Sequence, residues 1–197
     1  MKAGGTNLDL TNIIEELKKY LKVTIKTKKR LEHIYNVVNF SKKLAQIHRL
    51  PEGKVEIAAL GHDLFRDVDP NRLIKLAAFY KIHLDKFDKN RPILLHGKVS
   101  AEFLARKFHI DEDIYQAIFY HTSGYEKIGD IGKALVISDS AGDDRDFEGV
   151  EELRKVSYTS LNEGYKLVIK NKISYALAKE RYILEDTYKT WNALCQI

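Results

Sequence analysis

The chain has 197 residues, 44% of them hydrophobic, and a formal net charge of +5. That is enough for one domain with a full core, and the single cysteine, Cys195, excludes an internal disulfide and a CxxC-type zinc site and fits a reducing cytoplasm. No apolar run approaches the ~20 residues that span a bilayer, and MKAGGTNLDL lacks the apolar core of a signal peptide, so a soluble cytoplasmic protein with no membrane partner is expected.

Three prolines, with apolar positions recurring at three and four rather than two, predict an all-α fold. A first helix is expected over about residues 10–21, with Ile13, Ile14, Leu17 and Tyr20 or Leu21 inward. Seven residues from Lys18 to Arg30 are Lys or Arg; such a run either touches nucleic acid or phosphate or forms the solvated face of a helix. No aromatic residues interleave with it as a base-stacking platform would require, so nucleic acid is not the expected partner. A second helix covers about 28–48. Pro51 suits the first turn of a third, and Asp69-Pro70 reads as an N-cap and N1 proline for a fourth. Further helices fit near 95–108, 110–121, 131–139, 150–157 and 161–177. The segment from Lys179 onward is ambiguous, and Ser140 to Glu148 is the most polar loop.

Helical spacing sorts the histidines. His33, Val37, Phe40 and Leu44 share one face of the second helix; Val55, Ala58, Ala59 and His62 share one of the third; Ile114, Ala117, Ile118 and His121 share one of the sixth. Leu135 and Val136 precede Asp139 in the same way. Asp63 adjoins His62, and His96 lies in another apolar stretch. Because these ligand types come late in their helices, the helix ends are expected to converge on one pocket. Each has a plainer reading: a core histidine bonded to a backbone carbonyl, or, for Asp139, a carboxylate capping the next turn. His48, His83 and His109 fall at solvent edges or in charged loops, and Lys98 reads as solvent-facing; none is given a role.

The order His33, His62-Asp63, His96, His121, Asp139 in a helical chain resembles the HD superfamily of metal-dependent phosphohydrolases. The strings KRLEHI, AALGHDLFRD, LLHGKVSAEFLA, YHTSG and SDSAGDDRDFEGVEELR are similar to those of its bacterial symmetrical bis(5'-nucleosyl)-tetraphosphatase (YqeK-like) branch. The resemblance implies a single-domain HD-type helical bundle over residues 28–192, with residues 1–27 as a helical extension and the metal site between helix ends. It implies symmetrical hydrolysis of diadenosine tetraphosphate to two ADP, with a transition metal held by His33, His62, Asp63 and Asp139; iron comes from the resemblance, and manganese, cobalt or zinc suit the same donors. Asp63, His96 and His121 are implied in catalysis, the two histidines binding phosphate or a second metal. Arg66 and Arg145 match phosphate-facing positions, each with an alternative: Arg66 pairing with Asp67 or Asp69, Arg145 with Asp144 or Asp146. Tyr182, Ile183, Asp186 and Thr187 fall in a segment that closes over the nucleotide, as substrate-binding residues along with Asp139. The chain departs from the family's pattern at Ser140–Asp143 and at Leu184-Glu185. Partners implied are a dinucleoside polyphosphate or other nucleotide; a homodimer is left open. Other readings are an HD nucleotidase on mono- or triphosphates and a catalytically silent dinucleoside-polyphosphate sensor.

Overall fold

In the computed structural model, which describes residues 7–195, the apolar stripes become helices in the order α1 (Asn7–Thr24), α2 (Lys28–His48), α3 (Glu52–Gly61), α4 (Pro70–Phe79), α5 (Lys86–Asn90), α6 (Leu95–Phe108), α7 (Glu112–Phe119), α8 (Asp130–Ala141), α9 (Val150–Thr159), α10 (Leu161–Ala178) and α11 (Glu185–Cys195). The described residues contain no strand, in keeping with the all-α expectation. Side-chain caps start several helices: Thr27 accepts from the N–H of Arg30, Asp69 from those of Asn71 and Arg72, Asp111 from Ile114 and Ser160 from Glu163. Each satisfies an amide that a helix start leaves unpaired.

The differences from expectation are local. α5, held by a capping box between Asp85 and Asp88, and a 3-10 turn over Pro92–Leu94 are too short to show a period. The ambiguous end resolves into a turn and α11. α3 stops at Gly61 and α7 at Phe119, so His62 and His121 sit just beyond helix ends. α8 runs on to Ala141, and the polar loop begins at Gly142.

α8 is buried nearly all round, as a helix apolar on every side must be. Ile131 and Leu135 face a cluster that includes Ile13, Leu17 and Leu21 of α1, Ile34 and Val37 of α2, Leu60 of α3 and Leu104 of α6. Ala134, Val136, Ile137 and Ala141 face a second cluster with Phe40, Leu44, Leu153, Tyr165, Val168 and Ile169. Fully burying one such aliphatic side chain contributes roughly 1.5–3 kcal/mol, so α8 is firmly fixed, and Asp139 with it. α1 contributes to the same core as the later helices. A third cluster, Leu73, Ala77, Leu95 and Val99, seats α4 on α6 and sets the position of His96 at the start of α6.

Candidate metal centre

Three histidines enter the site in the same way. Nδ1 of His62, His96 and His121 meets the carbonyl oxygen three residues earlier, that of Ala59 at 2.7 Å, Ile93 at 2.5 Å and Ile118 at 2.7 Å. A carbonyl only accepts, so Nδ1 carries the proton and donates it, and Nε2 turns a lone pair towards the interior. These carbonyls lie at the ends of α3 and α7 and in the 3-10 turn, where the helical ladder leaves acceptors free. His33 uses a side chain instead, donating from Nδ1 to Oδ2 of Asp144 at 2.8 Å, with Nε2 3.1 Å from Oδ1 of Asp139.

The inward nitrogens crowd against each other and against carboxylates. Nε2 of His96 lies 3.1 Å from Nε2 of His121 and 3.0 Å from Oδ1 of Asp63. Oδ2 of Asp63 lies 3.5 Å from Nε2 of His62 and 4.0 Å from Nε2 of His33. Two three-donor groups result, His33–His62–Asp139 and Asp63–His96–His121, each with its donor atoms within 4.8 Å of one another. Asp63 stands between them with one oxygen towards each. Nε2 of His62 is buried without any hydrogen-bond partner, a costly state unless positive charge meets it. Lone pairs converging on carboxylates fit a cation, and nitrogen and oxygen donors without thiolate fit a first-row divalent ion.

Electrostatics sharpen the fit. Burial pushes the His62 imidazolium down, and it pushes His121 down to about 3, so both rings are neutral ligands near pH 7. Burial works to raise the carboxyls of Asp63 and Asp139, but His62 and His96 beside the first and His33 beside the second outweigh it and hold both below the usual carboxylate range. Burial also opposes protonation of His33, yet Asp139 and Asp144 raise its pKa; a proton on Nε2 there occupies the place for which a cation competes.

Beside these donors opens a cavity of about 260 Å³ lined by Arg30, Arg66, Arg145, Thr122 and Leu94 together with Asp63, His96, His121 and Asp139. Three guanidinium groups around metal-type donors suit an anionic, phosphorylated substrate. A family profile described as the HD domain matches residues 30–170. The chain belongs to the HD domain family. HD domains are metal-dependent hydrolases, and the donor set just described agrees with that chemistry.

This HD domain is 33% identical to the symmetrical bis(5'-nucleosyl)-tetraphosphatase of Bacillus subtilis over 169 residues, which cover 85% of this chain and 90% of that protein. It is 28% identical to the protein of the same name from Staphylococcus aureus over 182 residues, 91% and 93% of the two chains. A crystal structure from Clostridium acetobutylicum, described as a predicted HD superfamily hydrolase involved in NAD metabolism, superposes with a TM-score of 0.85 at 28% identity, covering 91% of this chain and 95% of that chain.

Some expectations about side chains change. Arg66 faces the central cavity rather than a surface acid; Asp67 instead accepts from the backbone amides of Lys26 and Thr27, and Asp69 caps α4. Arg145 does not pair with Asp144, which His33 engages; it donates to the backbone oxygen of Asp139 at 2.9 Å and to its Oδ1 at 3.1 Å. Asp139 binds His33 within α8 and caps nothing. Lys98 is not solvent-facing: its Nζ donates to the buried Asp88 at 2.9 Å. Tyr182, Ile183 and Thr187 line a neighbouring cavity of about 500 Å³, whereas Asp186 borders a separate one of about 100 Å³ beside Lys98 and Asp88. The Thr187 hydroxyl donates to the Ser123 carbonyl at 2.6 Å, tying α11 to the YHTSG turn.

Four contributors escaped the sequence reading. Arg30 donates to Oδ2 of Asp63 at 2.8 Å; its position three residues before His33, on the same helical face, was the available signal. Asp144 orients His33. Arg154, the last residue of the RDFEGVEELR string, donates to the carbonyls of Ala141, Gly142 and Arg145 at 2.9–3.0 Å and so holds the loop that carries Asp144 and Arg145. Lys172 donates to the carbonyl of Thr122 at 3.0 Å on the rim of the 500 Å³ cavity, and in an alternating run of lysines nothing marked it out.

Proposed function

We propose that this HD hydrolase cleaves diadenosine tetraphosphate symmetrically to two ADP. The observation that carries the reading is the convergence of inward imidazoles and two carboxylates beside three arginines, in a chain whose relatives over most of its length bear that activity in their names.

A polyphosphate resists attack because its own charge repels the incoming oxygen. His33, His62, Asp63 and Asp139 hold the principal ion, and the second group, Asp63, His96 and His121, supports a further ion over simple donation to phosphate. When bound, the metal supplies a Lewis acid that screens phosphoryl oxygens and acidifies water. Arg66 and Arg145 bind the phosphate chain with charge-assisted hydrogen bonds. Arg30 keeps Asp63 aimed between the two donor groups. Attack of a water oxygen on a central phosphorus forms one P–O bond and breaks the bridging P–O bond, and ADP leaves on each side. Tyr182, Ile183 and Thr187 wall the cavity that receives one nucleoside, and Asp186 lies in the same closing segment beside a smaller cavity. Iron is the preferred ion on family resemblance.

The test is product analysis of metal-loaded protein with diadenosine tetraphosphate. ADP as sole product supports the proposal; ATP with AMP, or inorganic phosphate, sinks it. Asp63→Ala is expected to lose bound metal and activity together while its helical circular dichroism is unchanged.

A further inference from the structure

A third concave surface adjoins the metal centre. Its volume is about 480 Å³, nearly that of the cavity under Tyr182 and Ile183, and both fall within the ~300–1,000 Å³ range of small-molecule sites. Buried Leu153 of α9 and Val168 of α10 form its floor, and Asn171 and Lys172 offer polar atoms at its edge. Two aromatic rings stand over it with much of their surface open, Phe147 at 41% and Tyr175 at 53% exposure.

The three cavities adjoin one another through shared walls. The central one shares Leu94 and Thr122 with the Tyr182 cavity on one side and Asp139 and Arg145 with the Phe147 cavity on the other. The two outer cavities share Lys172 and Tyr175 as a common wall. A small, charged middle flanked by two roomy, aromatic ends matches a molecule with a polyanionic middle and two aromatic ends. We propose that the Phe147–Tyr175 cavity binds the second nucleoside of the substrate, an assignment that rests on the dinucleotide reading above. The substrate then runs a bent course, with its phosphates passing the arginines and a nucleoside on either side of Lys172. A base resting on exposed rings gains stacking energy whatever its identity, so this cavity selects for the presence of a second nucleoside more than for its base.

The experiment is calorimetric titration of metal-loaded protein with methylene-bridged, uncleavable analogues of diadenosine tetraphosphate and of adenosine 5'-tetraphosphate. Wild type is expected to bind the dinucleoside analogue more tightly. Phe147→Ala is expected to reduce that advantage roughly tenfold, and Phe147→Tyr, which keeps the ring, to retain it. An undiminished advantage in Phe147→Ala overturns the assignment while leaving the proposed activity intact. No preference of wild type for the dinucleoside analogue overturns it too, and failure of wild type to bind either analogue takes down the dinucleotide reading itself. Phe147 lies in an exposed loop, and matching thermal melts of the variants confirm that only the cavity has changed.

Discussion

Nε2 of His96 and Nε2 of His121 lie 3.1 Å apart although neither has a proton to give the other, because each ring has committed its proton, on Nδ1, to a main-chain carbonyl. A proton on His121 is no easy remedy near neutrality, since burial has pushed that ring down to about 3. The contact is unfavourable alone, and a cation held between the two rings would relieve it.

Asp144 reaches the centre only through His33, whose Nδ1 donates to it at 2.8 Å. Partners of this kind set ring orientation and ligand basicity, and their loss typically costs 10–100-fold in metal affinity. Asp144→Asn is therefore expected to weaken metal binding by about that factor with melting temperature nearly unchanged, as competition with a chromogenic chelator would measure. Unaltered affinity would mean that Asp144 is only a surface acid.

Gly97, in the LLHG string, has no room for a side chain. A Cβ there would lie 2.7 Å from Cε1 and 2.8 Å from Nδ1 of His121, and 3.0 Å from the Ile118 carbonyl that anchors that ring. Overpacking of this kind costs roughly 1–3 kcal/mol, and ring and anchor shift together. Gly97→Ala is expected to fold, to melt a few degrees lower and to lose tenfold or more in turnover; wild-type kinetics from this variant would contradict the packing.

Arg154 serves three carbonyls of the loop between α8 and α9. Arg154→Ala leaves buried acceptors unpaired, at about 2–3 kcal/mol of stability, and releases Asp144 and Arg145 from their positions. Chemical denaturation and activity should therefore fall together. Arg154→Lys is expected to recover little, because a single ammonium lacks the planar fork that reaches all three oxygens.

Tyr165 gives a pH signature through a group that is not among the metal-type donors. Its hydroxyl donates to the carbonyl of Tyr125 at 3.1 Å and accepts from the amide of the same residue at 2.9 Å, and burial raises its pKa from 10.0 to about 12. Above pH 10 the unfolded chain releases this proton while the folded one keeps it, so stability falls as pH rises, by roughly 1.4 kcal/mol per unit, until the folded phenol ionises. Tyr165→Phe should be less stable at neutral pH and should show a shallower loss between pH 10 and 12 in denaturant titrations; parallel curves would refute the linkage.

The sequence showed the candidate donors more clearly than their supports. Recurrence at three and four put His33, His62 and His121 on apolar faces, and those faces are the buried ones. The plainer reading of a histidine bonded to a backbone carbonyl proved true of His62, His96 and His121, and it does not compete with a site: one ring nitrogen takes the carbonyl and the other faces the candidate metal centre. Contacts across long stretches of chain were invisible. Arg30 to Asp63, Asp144 to His33 and Lys172 to the Thr122 carbonyl depend on how helices cross, which spacing within a helix does not encode. Short elements such as α5 left no period to detect, and Lys98 looked exposed because its partner, Asp88, lies in that same short helix.

Main-chain oxygens aim three of the four imidazoles, so hydrogen bonds within the fold set the form of the cage. Loading is then expected to be an occupancy equilibrium instead of a folding event: chelation should silence the protein while its helices stay intact, and resupply should restore it with no refolding delay. Turnover would thus rise and fall with the ambient pool of free metal, making supply of the ion a throttle on hydrolysis.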